Sequence, residues 1–228
     1  TIYDVKIDDM LGQFTTLKNK NEIAIVTDSS ADIPPSLLKK YNIHVIPMTI
    51  THERQKMLDG LTITTEKLSE LMRHSSESPK TSTPPIGSVK KMFEFLSQNH
   101  QHVFAVSISA QMSSTFKVFT EVASAFKNIS VIDSRRNSGA HGSIVTAIAR
   151  LTSAGHTYQS IKSQIDNLID STSLFVLVNN FKTMAKSGRV SKSKAYFSDF
   201  INLKPLIGID SLGRGQVLAK SLSPCRQK

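Results

Sequence analysis

Ile23-Ala24-Ile25-Val26-Thr27-Asp28-Ser29-Ser30-Ala31-Asp32-Ile33-Pro34 opens on an apolar run, ends that run in a carboxylate and two hydroxyls, and then meets a proline. The run has strand length, and a proline is tolerated in the first turn of a helix, where the N–H groups lack intrahelical partners. The stretch therefore predicts a strand, a polar loop and a helix reaching Tyr41. The unit recurs downstream. His102 to Ile108 is followed by the polar segment Ser109 to Thr115 and by a helical stripe at Val118, Val122, Ala125 and Phe126. Ile129 to Ile132 is followed by Asp133-Ser134 and a helix over Gly142 to Ala154, closed by Gly155. Strands alternating with helices predict an α/β fold with a mainly parallel sheet flanked by helices.

The remaining elements fit around this frame. Ile43 to Ile50 reads as a strand interrupted by Pro47, which calls for an edge or a bulge. Leu68, Leu71 and Met72 mark one helix, Val89, Met92, Phe93 and Leu96 another, and Tyr158, Ile161, Ile165, Leu168 and Ile169 a third. The Ser/Thr/Pro-rich stretch from His74 to Pro85 reads as a long loop. Leu174 to Val178 is a fifth strand, opening a region that is basic and glycine-containing. The expected organisation is a helical extension and linker over 1–21, an N-terminal α/β domain over 22–155, and a smaller C-terminal α/β domain over 156–228.

The chain has 228 residues, with 28 Lys and Arg against 18 Asp and Glu, a single Cys (Cys225), and no Trp. One cysteine excludes an intrachain disulfide and a multi-thiolate metal site, and favours a reducing, cytoplasmic setting. Of the net charge of +10, ten basic and two acidic residues between 181 and 228 supply +8. Aromatic residues interleaved with that charge are limited to Phe181, Tyr196, Phe197 and Phe200, so nucleic-acid binding is not expected. No apolar run approaches the roughly 20 residues of a membrane-spanning helix, which leaves at most transient contact with a membrane surface. The acidic opening, with Asp4, Asp8 and Asp9, does not read as an export signal.

Three predicted strands end in polar clusters: Thr27 to Ser30, Ser107 to Thr115, and Asp133-Ser134. In a parallel sheet these ends share one edge, where ligands bind, although each side chain could equally cap the helix that follows it. The nucleotide-binding glycine loops, the zinc-protease helix motif and the nucleophile elbow are all missing. Asp28, Ser29 and Asp133 leave open a small-molecule hydrolase or transferase. His100 and His102 lack a nearby third ligand and read as structural. Arg189, in Gly188-Arg189-Val190, could grip a carboxylate or phosphate through its planar donors.

Taken in order, Ile23 to Pro34, Val45-Ile46-Pro47-Met48, Asp59-Gly60, Lys80-Thr81-Ser82-Thr83-Pro84-Pro85, Ile108-Ser109 to Thr115, Val131-Ile132-Asp133-Ser134, Gly188-Arg189-Val190 and Leu203-Lys204-Pro205-Leu206-Ile207 resemble the DegV family of bacterial fatty-acid-binding proteins. The resemblance runs from about residue 22 to about residue 220. It implies two α/β domains with a long acyl chain held between them, and a binding protein rather than an enzyme, with no cofactor besides the fatty acid. It also implies a partner, a kinase-like subunit or fused domain, to which the carboxylate is presented. Carried over by motif, the head-group residues are Thr81 and Ser113, with Ser82 and Ser114 beside them and Arg189 as the positive partner; Asp28 and Ser29 join the expected lipid-binding set. Two departures stand out. Ser114 occupies a position where the family usually has glycine, which raises the question of a positive φ there. Relatives also normally continue further, so the second domain is expected to be incomplete, while residues 2 to 17 look like the end of a preceding dihydroxyacetone-kinase-like domain.

Overall fold

The computed structural model describes residues 21–75, 77–178 and 204–221. The opening run forms β1 (Asn21–Asp28), a single 3-10 turn (Ser29–Ala31) and α1 (Pro35–Tyr41), which starts on a proline as expected. The chain continues through β2 (Ile43–Ile46), β3 (Thr49–His52), β4 (Gln55–Leu58), α2 (Thr65–His74), β5 (Lys80–Ser82), α3 (Ile86–Asn99) and β6 (His100–Ser107). It then passes through α4 (Thr115–Ala123), β7 (Ile129–Asp133), α5 (Ser138–Ser153), α6 (Tyr158–Lys162), α7 (Ile165–Asp170), β8 (Phe175–Leu177), β9 (Lys204–Ile209) and β10 (Gly215–Ser221).

Four strands form a parallel sheet in the order β2-β1-β6-β7. Continuous apolar strands are what a parallel sheet covered on both faces requires. Alternate residues of each strand serve the two faces. Ala24, Val26, Val103 and Ala105 pack with Val89, Met92, Phe93 and Leu96 of α3 and Phe119 of α4; the Phe93 and Phe119 rings meet edge to face at 5.3 Å. On the other face, Ile25, Phe104 and Val106 pack with Ile144, Val145 and Ile148 of α5. Ile161, Ile165 and Ile169 join this second cluster, so the two short helices after residue 155 are built onto the parallel sheet.

Two smaller antiparallel sheets, β4-β3-β5 and β10-β9-β8, complete the architecture. The expected strand over Ile43 to Ile50 is in fact two. β2 ends where Ile46 pairs with Asp28, and after Pro47-Met48 the chain enters a different sheet. Proline has no N–H for the parallel ladder, so it marks where the chain leaves it. The expected loop from His74 to Pro85 also contains a strand. Lys80 to Ser82 pairs antiparallel with Thr49 to Thr51; its three residues are all exposed and lack apolar alternation, so only the partner strand could reveal it.

α5 approaches the turn after β1 so closely that a Cβ on Gly142 would fall on the Ala31 carbonyl oxygen. Gly142→Ala is therefore expected to cost on the order of 1–3 kcal/mol through overpacking, measured by urea unfolding; an unchanged midpoint would contradict this close packing.

Two buried histidines predict acid sensitivity. Burial, reinforced by the nearby His100, lowers the His44 pKa from 6.5 to about 4. Burial also lowers that of His141, against the pull of Asp28. Both are neutral in the fold, whereas the unfolded chain takes up protons near pH ~6.5. Their contribution to stability is thus complete above that pH and is lost as pH falls below it, for His44 down to about 4. A melting temperature that declines between about pH 7 and pH 5 is expected; a flat profile would contradict it.

Candidate functional site

The carboxyl ends of β1 and β6 open onto a cavity of about 810 Å³ that β5, β8 and β9 also line. That is ample for a drug-sized or acyl ligand. Its walls differ in chemistry. Thr81 and Ser82 from β5, with Ser113 and Ser114 from the segment before α4, form a hydroxyl-bearing wall. Met48, Ile108, Leu174, Val176, Ile207 and Ile209 form an apolar one. Leu174 and Val176 face the cavity, while Phe175 and Leu177 are 65% and 45% exposed, the period-two alternation of a strand.

The Ser113 side chain is set by its own turn. Its Oγ lies 2.9 Å from Thr115 Oγ1 and accepts the Thr115 N–H at 3.3 Å. Either hydroxyl can donate in that pair, and with Thr115 as its donor the Ser113 proton turns to an anionic ligand. Ser114 has φ −75° and ψ 7°. The glycine usual in the family is therefore not demanded by backbone strain here, and the extra hydroxymethyl lies on the cavity wall. The N-terminus of α4 begins at this point, and its free N–H groups favour negative charge.

Asp28 and Ser29 lie elsewhere. They line a neighbouring cavity of about 380 Å³ that Asp59 also borders. Asp28 is fully buried. Its Oδ1 accepts from the Ser30 N–H and hydroxyl, and its Oδ2 accepts the Ile108 N–H at 2.8 Å, so it pins the end of β1 to that of β6. His141 Nε2 stands 2.9 Å from Thr27 Oγ1 and 3.8 Å from Asp28 Oδ2. All three side chains are shut off from solvent. Ser29 Oγ donates to Asp59 Oδ2 at 2.7 Å and accepts the Met48 N–H at 3.0 Å. Asp133 Oδ1 accepts from the Ala110 and Arg135 N–H groups. Capping and strand pinning thus occupy Asp28, Ser29 and Asp133. Arg189 lies outside the described residues, as does nearly all of the expected extension over 1–21.

Sequence reasoning left two cavity residues and one nearby attachment unassigned. Asp59, noted only as part of a motif, lines the main cavity, and burial raises its carboxyl above the ordinary range despite the Ser29 hydrogen bond. Asn137 also lines it. The third is the attachment of the β9–β10 turn. Ser109 Oγ donates to the Gly213 carbonyl at 2.7 Å, and Gly213, at φ +89°, has no room for a Cβ against Ser109 and Arg135. Arg136 anchors the same turn by bonding the Asp210 carbonyl. The Arg135-Arg136 pair directly after a strand was the available signal, but its partners are distant in sequence.

Among the described residues no group of His, Cys, Asp and Glu could hold a metal ion, and no helix is long and apolar enough to cross a membrane. A parallel α/β layer carrying a mixed polar and apolar cavity at its strand ends defines a small-molecule-binding class of fold. The family model described as "Uncharacterised protein, DegV family" matches residues 22–224, and the chain belongs to that family. A DegV domain-containing protein of Staphylococcus aureus is 30% identical over 189 residues, covering 82% of this chain and 67% of that protein. One of Clostridium acetobutylicum is 26% identical over 195 residues, covering 84% and 69%. Among solved structures, DegV of Bacillus subtilis, described as a fatty acid binding protein, is 24% identical with a TM-score of 0.80, covering 89% of this chain and 73% of that one. A DegV family protein of Thermus thermophilus, described for its fatty acid binding, is 22% identical with a TM-score of 0.80, covering 89% and 72%. These likenesses confirm the α/β fold with its parallel sheet flanked by helices.

Proposed function

We propose that the chain binds a long-chain fatty acid in the 810 Å³ cavity. The acyl chain lies along the wall of Leu174, Val176, Ile207 and Ile209, and the carboxylate is held by Thr81 and Ser113, with Ser82 and Ser114 sharing the role and Arg189 completing it. The observation that carries this reading is that two hydroxyl pairs, distant in sequence, line one cavity together with Leu174, Val176, Ile207 and Ile209. Relatives of the same fold described as fatty acid binding support it.

The energetics suit the division of labour. Each methylene taken from water contributes roughly 0.8 kcal/mol, so the tail supplies most of the affinity. An ionised carboxylate must regain in hydrogen bonds what it loses in hydration. No step of bond making is needed for this role, and the bound carboxylate would be offered to a kinase-like subunit or fused domain. Displacement of a fluorescent acyl probe by palmitate tests the binding: saturable, stoichiometric displacement is expected, and its absence would refute the reading.

A further inference from the structure

Asp59 is half-buried and, among the described residues, is the one carboxylate that lines both cavities. Its place follows from strand register. Thr49 of β3 pairs with Leu58 of β4 on one side and with Ser82 of β5 on the other. Asp59 follows Leu58, and its N–H donates to the Met48 carbonyl at 3.0 Å. Asp59 and the Thr81-Ser82 pair thus stand at the same end of this sheet, their backbones two strand spacings, or about 10 Å, apart. A head group held by Thr81 enters the cavity within that reach.

The surroundings offer Asp59 no counter-charge. Among the described residues lining either cavity there is no Lys, Arg or His. The charged neighbours are acids: Asp28 at the end of β1 and Asp32 after the 3-10 turn. From α5, Ser138 donates to Asp32, and the buried His141 lies 3.8 Å from Asp28. β3, β5, α1 and α2 bring no charged side chain to either cavity. Arg189, assigned above to the head group, lies outside the described residues. Burial, with Asp32 and Asp28 nearby, raises the Asp59 carboxyl above the ordinary range despite the Ser29 hydrogen bond. An acyl carboxylate in the main cavity adds a further negative charge. Two unit charges about 10 Å apart, at an effective dielectric near 20, oppose each other by on the order of tenfold in affinity. We propose that binding of an acyl anion in the main cavity is coupled to uptake of a proton at Asp59, so that affinity rises as pH falls. The Ser29 hydroxyl can still donate to the neutral carboxyl. This rests on the fatty-acid reading and adds the regulation of that site.

The test is isothermal titration calorimetry on the intact chain and on Asp59→Asn, with hexadecyl sulfate, an acyl anion whose charge is fixed between about pH 8 and about pH 5. Affinity for the intact chain should rise on the order of tenfold over that range. Where Asp59 titrates, binding should take up part of a proton, seen as a heat that varies with the ionisation enthalpy of the buffer. Asparagine keeps the shape and an acceptor for Ser29 but carries no charge. The variant should therefore bind at the upper level without that pH dependence, and should bind palmitate at about pH 7.5 about fivefold or more tighter than the intact chain does. A pH-independent affinity without proton uptake, or a pH dependence undiminished in Asp59→Asn, overturns the inference and leaves the fatty-acid reading standing. Should hexadecyl sulfate fail to bind where palmitate does, a palmitate affinity no tighter in Asp59→Asn overturns it equally. If neither anion binds at any pH, both fall.

Discussion

Arg136→Ala is expected to lower stability by on the order of 3–5 kcal/mol, the largest effect of any substitution considered. The guanidinium is nearly buried and spends its donors on backbone carbonyls from separate parts of the chain. Nε donates to Thr172 O at 2.7 Å and Nη2 to Ile169 O at 2.9 Å, while Nη1 reaches Arg135 O at 2.8 Å and Asp210 O at 3.4 Å. Burial and the neighbouring Arg135 charge pull its pKa down, but a guanidinium stays protonated. Truncation removes these bonds from a buried cluster and takes away one of the ties that hold the β9–β10 turn, which Ser109 and Arg135 still bond at the Gly213 and Ser211 carbonyls. Lysine cannot rescue the site, because a point charge on a flexible stem does not span carbonyls in a planar fork. Arg135 gives the contrast. Its 2.8 Å ion pair with Asp170, whose side chain is 62% exposed, is solvent-screened, so Arg135→Ala should cost about 1 kcal/mol or less through that pair. Urea unfolding measures both. An Arg136→Ala loss no larger than that of Arg135→Ala would remove the anchoring role.

The second large effect concerns the ligand. Thr81→Val keeps the shape of the side chain and removes one hydroxyl; Ser113→Ala removes the other. A hydrogen bond to a charged group is worth about 1.5–3 kcal/mol, so each change should weaken fatty-acid binding roughly 10- to 150-fold, and the pair by more. Thr81 lies on an exposed strand, so the folded state should tolerate its loss. Ser113→Ala also removes the contact with Thr115, which makes Thr81→Val the cleaner measurement. A Thr81→Val affinity within about threefold of the parent would place the carboxylate elsewhere.

The parallel layer was readable because its physics is local. Runs such as Ile23 to Val26 and Val103 to Val106 must be apolar on both faces, and the helices between them carry regular stripes. The β4-β3-β5 sheet was hidden for the opposite reason: Lys80-Thr81-Ser82 is a strand only because β3 offers it a ladder. That Thr81 and Ser113 line one cavity follows from neither segment alone; their pairing as head-group residues came from the family motifs. Asp28 illustrates the limit of reading a polar strand end as a site. The same Asp-Ser-Ser pattern that could face a ligand here turns inward, capping a turn and holding Ile108. Arg136 and Asn137, side by side after β7, could not be separated by sequence, because one finds carbonyls from three stretches of the chain and the Oδ1 of the other finds no partner among the described residues.

The central claim is that this cavity holds a long-chain fatty acid. Mass spectrometry of the organic extract of the purified, folded protein, with and without prior incubation with mixed fatty acids, tests it most directly. The account predicts about one equivalent of long-chain acid per chain, sharply reduced in the Thr81→Val, Ser113→Ala double variant. An extract with no fatty acid after incubation, or an amount unchanged in the double variant, would contradict it.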